Sequence, residues 1–76
     1  MKVMLSELGK GREGILWDSL GEGPIAYRLR QFGMIEGTRI YSLGAAPLGS
    51  PMLFRVRGTI LALRREDCRG ISVVVE

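Results

Sequence analysis

The side chains that most often carry chemistry are nearly absent from this sequence. It has no histidine, and Cys68 is its only cysteine. The commonest general base and the commonest metal ligands are therefore missing. Glu66 and Asp67 are the only adjacent carboxylates, and adjacent side chains on a helix diverge rather than meet. We expect no catalytic residue, no cofactor and no metal site.

A lone cysteine excludes an internal disulfide, which is typical of a reducing compartment. We expect Cys68 to pack as a small apolar residue. Two short segments, Gly9-Lys10-Gly11 and Gly21-Glu22-Gly23, have glycines as phosphate-binding loops do. Neither has the full spacing with its lysine and hydroxyl, so we interpret both as corners of the chain.

Residues 46–51 are the most informative stretch of the sequence, because they predict a stiff loop. Pro47 and Pro51 restrict the backbone, and Gly49 permits a sharp turn between them. Leu48 lies inside this loop, and two interpretations are open: its side chain folds back onto the domain, or it projects as an apolar contact for a partner.

The segment after this loop alternates in hydrophobicity, which predicts a half-buried strand with Arg55 and Arg57 on its open face. Gly58-Thr59 predicts a two-residue turn that places Val56 opposite Leu61. A turn centred one residue earlier would bury the same face.

A helix is predicted over Pro24–Phe32, because proline suits a first helical position. Ile25, Leu29 and Phe32 form one apolar stripe, and Gly33 ends the helix. The solvent-facing residues are then Tyr27, Arg30 and Gln31.

With 76 residues, the chain is expected to be a single domain over residues 1–76. No apolar run reaches the roughly 20 residues that a membrane span needs, and we expect no signal peptide. The remaining pattern predicts short strands and one helical turn, which together indicate a small, bent antiparallel barrel of about five strands. The predicted strands are 15–17, 38–43, 52–57, 60–63 and 71–75, with the helical turn at 64–69 before the last strand.

The chain has a net charge of +3, and nine of its eleven cationic residues are arginine. The arginines are scattered rather than clustered. This distribution favours a solvated basic surface or an acidic protein partner over nucleic acid.

Several short motifs, in order, resemble the FeoA family of bacterial ferrous iron transport. They cover almost the whole chain and are Tyr27-Arg28-Leu29, Phe32-Gly33-Met34, Gly37, residues 46–51, Val56-Arg57-Gly58, residues 61–66, Ile71 and Val73. The resemblance implies an SH3-like barrel with one inserted α-helix. It also implies a non-enzymatic, cytoplasmic bacterial accessory protein that binds the FeoB permease near its cytosolic GTP-binding domain. Ser50 departs from the family, which usually has aspartate there.

Our hypothesis is therefore an accessory module that binds a FeoB-type permease. The alternative is a generic SH3-like module that self-associates, or that binds another protein or nucleic acid. The candidate contact residues are inferred from their expected exposure and stiffness. They are Pro47, Leu48, Gly49 and Pro51 of the loop, the cations Arg55 and Arg57, and Tyr27, Arg30 and Gln31 of the helix.

Overall fold

The computed structural model describes residues 1–17 and 20–75. Six strands form one antiparallel sheet in the order β1-β6-β2-β3-β4-β5. Their bounds are Lys2–Met4 (β1), Glu13–Leu16 (β2), Arg39–Ala45 (β3), Met52–Val56 (β4), Thr59–Leu63 (β5) and Ser72–Val74 (β6). The helices are α1 (Pro24–Gln31) and α2 (Arg65–Cys68), with a single 3-10 turn at Leu5–Glu7.

This architecture confirms the mainly β, antiparallel prediction with one inserted helix and a helical turn before the last strand. Two details differ. The sheet is open, with β1 and β5 as its edges, and β1 is a strand that the pattern did not predict. Three residues are too few to show an alternating pattern, and β1 forms only because Val3 lies opposite Val73, near the other end of the chain.

One hydrophobic core cluster lies among the described residues. Ile40, Phe54 and Val73 are fully buried at its centre, as the alternation predicted. Leu5 and Leu29 close this core from the 3-10 turn and from α1.

The start of α1 and its stop at Gly33 follow the prediction, since Pro24 is the first helical residue and Gly33 has φ +82°. Tyr27, Arg30 and Gln31 are exposed, as expected. The prediction that Phe32 faces the core is wrong, because its side chain is 44% exposed. The helix ends at Gln31, so Phe32 leaves the apolar stripe.

The β4–β5 hairpin turns at Arg57-Gly58, one residue before the predicted centre. Val56 therefore lies opposite Thr59 and Phe54 opposite Leu61. Both turn residues have positive φ, 51° for Arg57 and 81° for Gly58, which is the signature of the type I′ turn whose twist suits a two-residue hairpin. Arg57 is thus a turn residue, and the prediction that it shares the strand face with Arg55 is wrong.

Candidate functional site

The loop between β3 and β4, residues 46–51, is closed by its own backbone. Ala46 N–H donates to the Pro51 carbonyl at 3.0 Å, and Gly49 N–H donates to the Ala46 carbonyl at 2.7 Å. The second bond makes a β-turn with Pro47 in its second position, where proline is favoured. Leu48 lies at the apex of this turn.

Leu48 is 97% exposed, so the interpretation that it folds back onto the domain is wrong. Its side chain projects into solvent and does not fold back onto the sheet. A leucine on a proline turn loses little conformational freedom when a partner buries it. Most of the free energy of burying its side chain could therefore contribute to binding.

Arg65, the first residue of α2, holds the loop from behind. Its Nε donates to the Gly49 carbonyl at 3.0 Å, and its Nη1 donates to the Ser6 carbonyl at 3.5 Å. Its backbone N–H donates to Ser50 Oγ at 3.3 Å. One residue thereby joins the loop to α2 and to the 3-10 turn.

The interaction with Ser50 also serves α2. The preceding residue, Arg64, provides no side-chain cap, and the first N–H groups of a helix need an acceptor from elsewhere. A serine hydroxyl is a good acceptor at a helix start. Ser50 supplies it from the loop, which gives this residue a structural role where the family pattern usually has aspartate.

A groove of about 300 Å³ lies beside the loop. Lys10 lies along it, with its side chain packed over Gly44, where an added Cβ would be 3.2 Å from the lysine Cδ. Arg65 lines the same groove, as do Ala45 and Met52. Glu7 lines it too, so the loop is apolar at its apex and the groove beside it carries charges of both signs.

The other predicted contact residues do not join this loop. Arg55 lies on the outer sheet face opposite Tyr41, with its guanidinium 5.7 Å from the ring centroid. Arg57 lies at the far end of β4, which at roughly 3.3 Å per residue is about 16 Å long. The prediction that both arginines flank Leu48 is wrong for Arg57, because the strand separates them.

The helix residues lie on a different element from the loop. Tyr27 is 64% exposed. Arg30 is already engaged, since its Nη1 donates to the Gly21 carbonyl at 2.8 Å. Gln31 is exposed at the end of α1.

Sequence reasoning missed Arg65 as part of the site. Its acceptors are a carbonyl 16 residues away and another 59 residues away. Backbone carbonyls have no residue-type signal, so only an arginine at a helix start opposite a proline loop could have drawn attention to it.

Among residues 1–17 and 20–75, no three of the acidic or thiol side chains gather as metal ligands would. Burial raises the pKa of the Cys68 thiol to about 11, with Asp67 adding to the effect and Arg65 opposing it. This thiol is therefore a poor nucleophile at neutral pH.

Comparison with known proteins now decides the family. The FeoA domain model matches residues 3–75. The chain belongs to the FeoA family. This confirms the resemblance drawn from the sequence motifs.

A curated relative of this FeoA domain is the Fe(2+) transport protein A/Fe(2+) transporter FeoB fusion protein of Porphyromonas gingivalis. The two are 33% identical over 71 residues, which is 93% of this chain and 8% of that protein. The chain thus spans a small part of the relative, in which a FeoA segment is joined covalently to a FeoB transporter.

Solved FeoA structures share the fold. The FeoA protein of Chlorobium tepidum is 32% identical, with a TM-score of 0.89, over 96% of this chain and 70% of that one. The FeoA of Stenotrophomonas maltophilia, crystallised with zinc and described as an SH3 domain protein, is 31% identical with a TM-score of 0.72, over 97% and 89% of the two chains. In the described part of this FeoA domain, no helix is long and apolar enough to cross a membrane.

Proposed function

We propose that this FeoA domain is a non-enzymatic accessory module of ferrous iron transport, and that it binds the cytosolic GTP-binding part of a FeoB-type permease through the loop 46–51. The covalent joining of FeoA and FeoB in the Porphyromonas gingivalis relative supports the choice of partner. A fusion keeps two proteins at high effective concentration, which is useful where they act together.

The observation that carries the choice of surface is the exposure of Leu48, 97%, on a loop held by Arg65. Burying one leucine side chain contributes about 2 kcal/mol. Because the turn is already rigid, little of this is lost to ordering of the loop. Lys10, Arg65 and Glu7 line the groove next to the loop, so the complementary site is an apolar pocket for Leu48 with polar groups at its rim.

The proposed contact surface contains fewer residues than the set predicted from the sequence. It keeps Pro47, Leu48, Gly49 and Pro51, which form or flank one turn. The distance along β4 separates Arg57 from them.

The test is binding to membranes that contain the permease from the same organism. We expect Leu48→Asp to weaken binding at least tenfold, because a carboxylate would enter an apolar pocket. The matched control is Ile35→Asp, since Ile35 is also an exposed aliphatic residue, 57% accessible, on a different loop. It should bind like the wild type.

Two results would contradict the proposal in different ways. If wild type does not bind, the choice of partner is wrong. If Leu48→Asp and wild type bind equally, the partner is right and the surface is wrong. Circular dichroism of each variant establishes that the fold is intact.

A further inference from the structure

The two edges of the open sheet are not alike. β1 has three residues and begins with Lys2, and short or charged edge strands resist pairing with other chains. β5 has five residues, Thr59–Leu63, and none is charged or proline. Ile60 on its outer face is 61% exposed. β5 therefore lacks the usual protection of an edge.

The hairpin register shows which backbone groups of β5 are open. In a two-residue hairpin the residues that flank the turn, Val56 and Thr59, form a hydrogen-bonded pair, and pairs then alternate. Arg55 and Ile60 form the next, non-bonded pair, so the N–H and C=O of Ile60 point away from β4. The same holds for Ala62. In the described chain neither residue has another hydrogen-bond partner.

The charges at the ends of β5 favour one kind of occupant. Arg57 precedes the strand and Arg64 follows it. Arg57 has no ion pair among the described residues, and its side chain is packed over Gly33 after α1. Arg64 has only a loose exposed contact with Glu66, at 3.9 Å. A groove of about 330 Å³ lies between the β5 end of the edge and the two helices. Its lining residues are Ile25 and Arg28 of α1, Ala62 and Leu63 of β5, and Arg64, Glu66 and Asp67. The α2 end of the edge thus carries charges of both signs, whereas Arg57 stands at the other end without a carboxylate partner among the described residues.

A second copy of this chain fits the edge poorly. Antiparallel pairing of two β5 strands about Leu61 sets Ile60 opposite Ala62 of the other copy. Continuing the register sets Gly58 opposite Arg64, so Arg57 of one copy lies beside Arg64 of the other at both ends. Like charges in this position oppose pairing.

We propose that the β5 edge binds an extended peptide segment of a partner protein as an additional strand, and that the segment carries an acidic residue where it passes Arg57. Main-chain hydrogen bonds to Ile60 and Ala62 supply the attachment, as in other cases of strand addition. Alternate side chains of the segment contact Ile60 or enter the groove beside α1. The open backbone groups of Ile60 and Ala62 belong to the edge strand and not to the loop 46–51, and this proposal does not depend on the identity of the permease.

The probe is the synthetic peptide acetyl-Glu-Thr-Val-Thr-Val-Thr-Glu-amide, which places a glutamate beside Arg57 in either orientation. A peptide with lysine at both ends is the charge control. Binding is followed by nuclear magnetic resonance of the backbone amides. At saturation we expect hydrogen exchange at Ile60 and Ala62 to slow at least tenfold, and the lysine peptide to bind at least fivefold more weakly.

Ala62→Pro removes the edge donor without removing a bond to β4, a position where a strand tolerates proline. We expect it to weaken binding at least tenfold, whereas the matched variant Ala62→Thr keeps the N–H and binds like the wild type. If Ala62→Pro does not fold, Ile60→Pro tests the other open donor in the same way.

Three results would overturn the proposal. One is the absence of protection at Ile60 and Ala62 with the glutamate peptide. Another is equal binding of the two peptides. The third is protection that rises with protein concentration alone, which would identify a second copy as the occupant. The assay contains no permease, so its failure is distinct from a failure of the proposed function.

Discussion

Arg65 and Gly49 are joined by a hydrogen bond of 3.0 Å from the guanidinium Nε to the carbonyl oxygen. The bond links a helix start to the loop that presents Leu48. The stiffness of this loop is therefore a property of two segments, because proline restricts it locally while Arg65 holds it against α2.

Replacing Arg65 by alanine should loosen the loop and destabilise the domain. A hydrogen bond from a charged group contributes about 1.5 kcal/mol, which for a chain of this size lowers the melting temperature by roughly 6–12 °C. Hydrogen exchange at the Gly49 amide should also become faster.

Arg64→Ala is the matched control for Arg65→Ala. Arg64 is exposed and has only the loose contact with Glu66, and exposed ion pairs contribute little. Equal losses of melting temperature in the two variants would show that Arg65 does not hold the loop.

Replacing Arg57 by asparagine should stabilise the hairpin. Arg57 has φ 51°, a conformation that arginine adopts at a cost and asparagine adopts readily. We expect a gain of about 0.5 kcal/mol, measured by urea denaturation. Arg57→Ala loses the same charge but keeps the backbone strain, so it should show no gain. An equal gain in both variants would attribute the effect to charge rather than to the turn.

A larger residue at Gly14 would clash with the hydrophobic core. A Cβ added there would lie 2.9 Å from Val73 Cγ2, in the middle of two paired strands. We expect Gly14→Ala to cost about 2 kcal/mol through overpacking. Gly70→Ala is the control, since an added Cβ at Gly70 meets nothing within 4 Å, and it should change stability by less than about 0.5 kcal/mol. Similar thermal denaturation of the two variants would contradict the packing argument.

The buried Cys68 thiol should make the domain less stable at alkaline pH. Its pKa rises from 9.0 to about 11 on folding, so the folded state keeps the proton that the unfolded state releases. This contribution is complete below pH 9 and is lost as the pH rises towards 11. Between pH 8 and 10.5 the free energy of unfolding should fall more for wild type than for Cys68→Ala, and parallel pH profiles would show that the thiol does not contribute.

Much of the fold followed from local pattern. Alternation in Met52–Val56 identified a strand and its buried face, and Pro24 with Gly33 bounded α1 closely. The errors arose where two local structures fitted the same residues equally well. Gly58 is compatible with two hairpin registers that bury the same side chains, and only the backbone twist chose between them. Phe32 fits the helical stripe by spacing, but the helix had already ended.

The predictions for the candidate site were also correct where local sequence decided the structure and wrong or open where it did not. Prolines on both sides of Leu48 indicated a rigid turn, since proline restricts the backbone wherever it occurs. Whether Leu48 projects, and whether Arg57 accompanies it, depended on where β4 carries the chain.

The amino-acid sequence by itself determined the family, the alternating strands and the scarcity of reactive side chains, because these depend on residue type and on neighbours along the chain. The tertiary structure alone decided that Arg65 holds the loop, that β1 joins the sheet and that β5 remains an open edge. Each of these depends on backbone groups that approach from distant parts of the chain, and a backbone carbonyl or N–H is the same at almost every residue.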